Sequence, residues 1–199
     1  MASELELKLE IAPQETVNFK QLMASLGWSP SSELMLSNVY YDTADQALKQ
    51  ARIALRVRRA GECWIQTLKT AGEADASGLV RRGEWEWTLP DDRLDVSLLG
   101  ALLPVTIDRY ALKPLFATDF KRTTWLVPHL GSLVEIALDQ GEIFAAPKRV
   151  PISEVELELK EGATAGLLAL SELLQSKIPL QVSTISKAER AQRLLEGKD

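Results

Sequence analysis

The chain has 199 residues, 46% hydrophobic and 26% charged, a composition typical of one globular domain whose core needs no disulfides. Its formal net charge of −5 argues against non-specific nucleic-acid binding. The lone cysteine excludes an internal disulfide, the first residues are charged, unlike a signal peptide, and no apolar run approaches the roughly 20 residues of a membrane span. We therefore expect a cytoplasmic protein with no membrane or nucleic-acid partner.

The first predicted element is a strand over residues 4–10, in which charged and leucine side chains alternate without a break. Successive strand side chains point to opposite faces. One face is therefore apolar, and the other carries Glu4, Glu6, Lys8 and Glu10. A helix is predicted to begin near Pro13 and to end at a Gly27 cap. Its apolar stripe comprises Val17, Leu22, Met23 and Leu26.

Strands are predicted next over about 34–42, 53–59 and 63–69, with a helical turn over 44–50. The three-residue connection between the last two strands has the length of a hairpin turn. Residues 70–78 are rich in Gly, Ala and Ser, which favours a mobile loop. A strand over 79–88 is expected to present Glu84 and Glu86 on one face, and to pack Trp85 and Trp87 under helices on the other.

The second half of the chain begins with a helix predicted over 90–101. Strands follow over 115–127, 133–139 and 150–160, and helices over 164–176 and 186–196, the last capped by Ser186. Because the roughly eight strands are consecutive and mostly joined by short turns, we expect an α+β fold in which an antiparallel sheet closes on itself.

The charged strand faces have two interpretations. Any one of them, taken alone, is better explained as the wet face of a sandwich, where cross-strand ion pairs contribute little. Taken together, the strands segregate the two signs of charge. Acidic residues dominate the first, seventh and eighth predicted strands, and basic residues dominate the third, fourth and sixth. The predicted helices also need an apolar surface to cover. If they cover the leucine face from outside, the charged face lines the interior.

A charged interior needs compensation, because desolvating an ion costs several kcal/mol. A polyanion bound by Arg and Lys, and bridged by metal ions to carboxylates, would compensate both signs of charge. Carboxylate oxygens suit Mg²⁺ or Mn²⁺ rather than zinc. The pattern therefore favours phosphoryl-transfer chemistry, in which charge neutralisation and positioning dominate catalysis.

Several motifs now resemble one family. Residues 4–8 (ELELK) resemble the ExExK signature of the CYTH superfamily, the triphosphate tunnel metalloenzymes. Further matching segments follow in the family's order at 40–43 (YYDT), 54–58 (ALRVR), 67–69 (TLK), 82–86 (RGEWE), 154–158 (EVELE) and 186–187 (SK). Segments 114–120 and 135–141 are most similar to bacterial inorganic triphosphatases, which often carry a C-terminal helical CHAD domain. Since the chain stops at residue 199, we expect either a single CYTH domain over residues 1–199 or a protein whose CHAD domain was removed.

The resemblance implies an eight-stranded antiparallel tunnel that hydrolyses a small-molecule triphosphate, such as inorganic tripolyphosphate, with Mg²⁺ or Mn²⁺. The phosphate ligands that it implies are Lys8, Arg56, Arg58, Lys69, Arg82, Arg122 and Lys187. The metal ligands that it implies are Glu4, Glu6, Asp139, Glu156 and Glu158, with Glu84, Glu86, Glu135 and Glu154 as further candidates. Catalysis is assigned to Glu4, Glu6, Lys8, Arg56, Arg58 and Lys69.

Alternative functions on the same scaffold are a thiamine triphosphatase, a class IV-type adenylate cyclase, and a polyphosphate- or nucleotide-binding module without turnover. The sequence shows no obvious adenine pocket, and pure anion binding would not need so many carboxylates. Outside the charged rows, His129 is expected to be exposed and inert, and Cys63 to be an ordinary strand residue. Lys160 is placed at the tunnel mouth, and Glu10 either at its rim or on the surface.

Overall fold

The computed structural model describes residues 2–198, which contain ten β-strands and four α-helices. The strands are β1 (Ala2–Ile11), β2 (Ser32–Asp42), β3 (Ala54–Ala60), β4 (Cys63–Lys69), β5 (Glu73–Ala74), β6 (Leu79–Leu89), β7 (Lys113–His129), β8 (Ser132–Ala145), β9 (Lys148–Glu161) and β10 (Leu180–Ser183). The helices are α1 (Thr16–Ser25), α2 (Ala47–Gln50), α3 (Thr164–Gln175) and α4 (Lys187–Leu195). Short 3-10 helices lie at Pro13–Glu15, Val96–Leu102 and Arg109–Ala111.

Eight of the strands form a closed antiparallel barrel in the order β1-β9-β8-β7-β2-β3-β4-β6, with β6 pairing back to β1. Strand β1 closes the barrel because it pairs with β6 on one edge and with β9 on the other, and β10 extends the first of these edges. On one edge its first half pairs with β6 and its second half with β10, while its other edge pairs with β9. The predicted eight-stranded closed antiparallel barrel is confirmed.

The leucine side of β1 faces outward and is buried under helices. Leu5, Leu7 and Leu9 belong to one core cluster with Phe19 of α1 and Leu167 of α3. The charged side faces the barrel interior, where Glu4, Glu6 and Lys8 are each less than 9% exposed. Burial of charge inside and leucine outside is thus the inverse of an ordinary sandwich, as the combined strand pattern predicts.

Helix α4 departs from the expectation that the helices cover the barrel from outside. Its buried residues, among them Ala188 and Leu194, pack with interior side chains of β7, β8 and β9 such as Phe120, Ile143 and Ile152. One end of the barrel is therefore apolar and sealed by α4. The predicted Ser186 cap is confirmed, because its hydroxyl accepts a hydrogen bond from the Glu189 amide.

Two predicted helical features are wrong in detail. Val17 is 61% exposed, and the buried face of α1 is carried by Phe19 and Met23, which lie four residues apart. Residues 90–101 do not form one helix but lead into a 3-10 segment kinked at Gly100. There the Asp95 carboxylate accepts a hydrogen bond from the nearby Ser97 amide, and such local bonds compete with the helical hydrogen-bond pattern.

The predicted end of α1 at Gly27 is confirmed, since this glycine follows the helix with a positive φ of 80°.

The strand predictions err mainly in length. Strand β8 continues past Asp139 to Ala145, through Gly141. A Cβ at Gly141 would lie 2.1 Å from the Asp119 carbonyl oxygen, so the glycine permits a close approach of β7 rather than ending the strand. The predicted loop over 70–78 contains β5, and β10 was not predicted at all.

The outer layer over β4 and β6 is apolar, as expected for the two tryptophans. Trp85 and Trp87 pack against a cluster that includes Leu68 of β4, Leu48 of α2 and Leu99 of the 3-10 helix, so helical segments do cover them. Among residues 2–198, none of the helices combines the length and the apolar character that crossing a membrane would require.

Candidate active site

The barrel encloses a cavity of about 280 Å³ between the α4 seal and the opposite end. Within residues 2–198, its lining includes eight basic and seven acidic side chains. They are Lys8, Arg56, Arg58, Lys69, Arg82, Arg122, Lys160 and Lys187, with Glu4, Glu6, Glu84, Glu86, Glu135, Glu156 and Glu158. Those among these charges that are buried destabilise a protein unless they are paired with each other or with a ligand.

The first group of paired charges lies on β1, β6 and β4. Lys69 Nζ is 2.8 Å from Glu4 Oε2 and 3.1 Å from Glu84 Oε1, and Arg82 binds Glu4 at 3.0 Å and Glu6 at 2.6 Å. Burial alone would raise the pKa of Glu4, but the charges of Lys69 and Arg82 outweigh it and hold that pKa well below its usual range. For Glu6 burial prevails over Arg82, and its pKa is raised. Glu6 therefore sits where its negative charge is under-compensated.

A second group of paired charges lies against α4. Arg122 donates two hydrogen bonds to the Asp139 carboxylate, at 2.7 and 2.6 Å, and one to Glu156 at 2.5 Å. Lys187 Nζ lies 2.6 Å from Asp139, 2.5 Å from Glu154 and 3.0 Å from Glu156. Burial opposes ionisation of Asp139 and Glu156, yet the adjacent cations lower the pKa of both carboxyls. These five residues form the charge-paired floor of the cavity.

Arg56 and Arg58 on β3 differ from the other cavity cations. No carboxylate among the described residues lies within 4.0 Å of either guanidinium, whose hydrogen bonds go to Tyr40 Oη at 3.4 Å and Asn38 Oδ1 at 2.8 Å. The buried Arg56 Nε has no partner at all. Burial, and then the like charges of Arg56 and Arg122, lower the pKa of Arg58 to about 9. Arg58 is therefore short of compensating negative charge, whereas for Arg56 the effects of Tyr40, Glu84 and Glu86 outweigh burial and raise the pKa.

The acidic residues offer oxygen ligands of the kind that Mg²⁺ and Mn²⁺ prefer. Asp139, Glu154 and Glu156 bring one oxygen each within 4.8 Å of one another, close enough to hold a metal ion. The Lys187 ammonium already lies among these three carboxylates. The carboxylates of Glu4, Glu6 and Glu158 instead line the cavity on neighbouring strands, where Glu6 pairs directly across from Glu158. Among residues 2–198, only Asp139, Glu154 and Glu156 come that close together, while Glu4, Glu6 and Glu158 supply oxygens of the same chemical kind along the cavity wall.

The structure brings together all seven residues that the sequence suggested as phosphate ligands. Of the suggested metal ligands, only Asp139 is absent from the lining, because it is fully buried behind Arg122 and Lys187. Of the further candidates, Glu84, Glu86 and Glu135 line the cavity, and Glu154 lies beneath it. Lys160 does line the cavity, where it pairs with Glu158 and Glu135, whereas Glu10 is exposed and outside it.

Sequence reasoning missed the polar residues that orient the unpaired arginines, Asn38 and Tyr40, and the cavity residue Thr67. Thr67 donates a hydrogen bond of 3.0 Å to Glu86. Strand parity could have found them, because Asn38 and Tyr40 lie directly across from Arg58 and Arg56 in the β2–β3 pairing. Cys63 is exposed, and His129 is half-buried rather than exposed; neither lines the cavity.

Comparison with known proteins gives a consistent family. The CYTH domain model matches residues 2–191. The inorganic triphosphatase of Haemophilus influenzae is 38% identical over 192 residues, which cover 96% of this chain and 54% of that protein. The chain thus spans about half the length of this curated relative.

Solved structures share the fold at lower sequence identity. A Hippeastrum adenylyl cyclase candidate with a dominant triphosphatase activity superposes with a TM-score of 0.69 at 19% identity, over 98% of this chain and 97% of that one. An adenylate cyclase candidate from Bacillus halodurans gives a TM-score of 0.62 at 21% identity, over 96% and 98% of the two chains. These likenesses concern the barrel and its helices alone.

Proposed function

The chain belongs to the CYTH domain family, and from this premise we propose that it is a metal-dependent hydrolase of triphosphates. The substrate that we propose is inorganic tripolyphosphate, cleaved to pyrophosphate and phosphate, because the 38% identical relative is an inorganic triphosphatase. We further propose that residues 1–199 form one domain, because both β1 and β10, from opposite ends of the chain, pair in the same sheet. The free Cys63 is consistent with a reducing, cytoplasmic location.

The observation that carries the proposal is the pair of arginines on β3 without a carboxylate partner. Two guanidinium groups in an enclosed cavity favour an anion with several oxygens, since each can bind phosphate oxygens with two parallel hydrogen bonds. Lys8 adds a third cation, because its contacts with Glu154 and Glu156 are both as long as 3.7 Å. The negative charges along a polyphosphate would compensate the positive charges of these cations.

The carboxylates on the opposite wall would hold the metal. We propose Glu4, Glu6 and Glu158 as its ligands, with Glu156 at the edge of the set, and Mg²⁺ or Mn²⁺ as the ion. When bound, the ion would supply neutralisation of phosphate charge and would lower the pKa of a water ligand. Lys69 and Arg82, which now pair with Glu4 and Glu6, would be released toward the anion, so that every charge in the cavity keeps a partner.

The reaction requires water to attack the terminal phosphorus while the bond to the bridging oxygen breaks, with pyrophosphate leaving. Arg56 and Arg58 would neutralise the negative charge of the phosphate oxygens in the transition state, since charge stabilisation is usually a large part of what a protein contributes to such a transfer. The sealed floor of the barrel limits access to one end and excludes bulk water from the α4 side.

The test is a substrate panel with Mg²⁺ and Mn²⁺: tripolyphosphate, thiamine triphosphate, ATP and pyrophosphate, with phosphate release and cyclic AMP both measured. We expect phosphate release from tripolyphosphate to dominate. Glu6→Gln should lose at least about 100-fold in kcat, while Glu10→Gln, which changes an exposed glutamate of the same strand, should match the wild type. Cyclic AMP formation without tripolyphosphate hydrolysis would overturn the proposal, and wild-type activity of Glu6→Gln would remove Glu6 from the metal site.

A further inference from the structure

A second concave site lies at the sealed end of the barrel, between α4 and the start of β9. It has a volume of about 230 Å³ and is lined by Val150, Arg190, Arg193, Leu194 and Lys198. We call it the α4–β9 groove. None of its lining residues also lines the cavity, which α4 borders only with its first turn. The groove takes no part in the reaction proposed for the cavity.

The α4–β9 groove is positively charged in a chain that is acidic overall. Three of its five lining residues are basic, and no described residue with a carboxylate lines it, although the net charge of the chain is −5. Cations are favourable in the last turn of a helix. That effect accounts for Arg193, but neither for Arg190 in the middle of α4 nor for the concave shape of the site.

Arg190 is held in a fixed position at the edge of the groove. One of its nitrogens, Nη2, donates a hydrogen bond of 2.7 Å to the Pro151 carbonyl oxygen, and its side chain is only 27% exposed. Its other contact, from Nη1 to Glu154 Oε2, is 3.7 Å and too long for a hydrogen bond. A guanidinium has five N–H donors, so several can still donate to an oxyanion. Because the group is already ordered, little side-chain entropy is lost when an anion binds.

The other two cations of the groove have partners that are easily exchanged. Arg193 lies 2.8 Å from Glu189, and Lys198 lies 3.1 Å from Glu196, but the two cationic side chains are 48% and 72% exposed. Exposed ion pairs contribute at most about 1 kcal/mol each. An anion with two or more charges can therefore attract both cations at small cost.

We propose that the α4–β9 groove is a second anion site, which binds a small multivalent oxyanion of the phosphate class such as pyrophosphate. Its volume is close to the 280 Å³ of the cavity, so there is room for an anion of that size. Planar guanidinium groups match phosphate oxygens, and the lysine adds a point charge. Pyrophosphate is also a product of the reaction proposed for the cavity, but binding in the groove does not depend on that reaction.

The test is a titration with pyrophosphate in the absence of divalent metal, followed by NMR of the methyl-labelled protein. The methyl groups of Val150 and Leu194 report on the groove and that of Ala137 on the cavity, because each lines only one of the two. We expect the groove signals to shift and to saturate with a Kd of about 1 mM or lower. In a parallel titration with tripolyphosphate, an unshifted Ala137 signal would count against the proposed function and not against the groove.

Two double variants with the same change in net charge make the titration specific. Arg193→Gln combined with Lys198→Gln removes two exposed cations of the groove, and should weaken pyrophosphate binding there by at least about tenfold. The matched control, Arg93→Gln combined with Lys177→Gln, removes two exposed cations that line neither the groove nor the cavity. It should bind within about twofold of the wild type.

Three results would overturn the proposal. The first is the lack of a saturable shift of the groove methyl groups up to about 10 mM pyrophosphate. The second is an equal affinity of the two double variants, since the attraction would then be non-specific. The third is tighter binding of a single-stranded oligonucleotide than of pyrophosphate at the same methyl groups, which would replace the small anion by a nucleic acid.

Discussion

Replacement of Arg58 by glutamine should separate stability from anion binding. Arg58 is half-buried, and the positive charges of Arg56 and Arg122 add to the cost of its burial. It has no carboxylate partner among the described residues, so its charge destabilises the ligand-free protein. Lowering its pKa to about 9 from the ordinary guanidinium value corresponds to at most about 5 kcal/mol against the charged form.

The measurable gain should be smaller than that upper limit. Because the side chain is only partly buried, solvent screens part of the repulsion, and substitution disturbs the 2.8 Å hydrogen bond to Asn38 at a cost of about 1 kcal/mol. We therefore expect Arg58→Gln to stabilise the ligand-free protein by about 1–2 kcal/mol. Because the same change removes one bidentate guanidinium–phosphate contact, the affinity for tripolyphosphate should fall by about 3 kcal/mol, roughly 100-fold.

Urea unfolding without metal, and calorimetric titration of tripolyphosphate, measure the two effects on the same protein. Arg59→Gln is the control, because Arg59 is the next residue of β3, is exposed, and lies over Trp64 outside the barrel. The control should change neither quantity by more than about 0.5 kcal/mol. A destabilised Arg58→Gln that binds tripolyphosphate as well as the wild type would refute the reasoning and make Arg58 a structural residue.

Two further predictions concern the floor of the cavity and the length of β8. Asp139 has a pKa below its unfolded value, because Arg122 and Lys187 outweigh its burial, so its stabilising contribution is present above about pH 4 and is lost as the pH falls from there. Asp139→Asn should lose about 3–5 kcal/mol at pH 7 by urea unfolding, and should change less than the wild type between pH 5 and 3; equal acid sensitivity would contradict this. Gly141→Ala should destabilise by about 3 kcal/mol or more, since its Cβ would meet the β7 backbone, whereas Gly131→Ala, in open space, should cost only about 1 kcal/mol.

The barrel could be predicted from the sequence because charged and apolar residues alternate so regularly along its strands. The charged row from Glu4 to Lys8 and the buried leucines between them follow directly from a period of two, and helices can cover only the apolar side. Features that depend on another part of the chain were not predictable in this way. Gly141 reads as a strand end, and only the approach of β7 shows why a glycine continues the strand.

The same reasoning found the residues of the cavity but not how they pair. By composition Arg58 and Arg122 are equivalent, since both are arginines on alternating strands. The cross-strand register separates them: Arg122 lies opposite Asp139, and Arg58 opposite Asn38. A carboxylate partner makes the first arginine part of the floor, and an amide partner leaves the charge of the second available to a ligand.

Helix α4 decides the last distinction. Its sequence is strongly amphipathic, which predicts one buried face but not whether that face covers a sheet from outside or enters the end of a barrel. Because it enters, Lys187 reaches the three carboxylates of the floor, and one cluster that could hold a metal is filled by an ammonium group. The interior side chains of β7, β8 and β9 that receive the helix are apolar, so it is these three strands, and not the helix sequence alone, that bring Lys187 into the cavity.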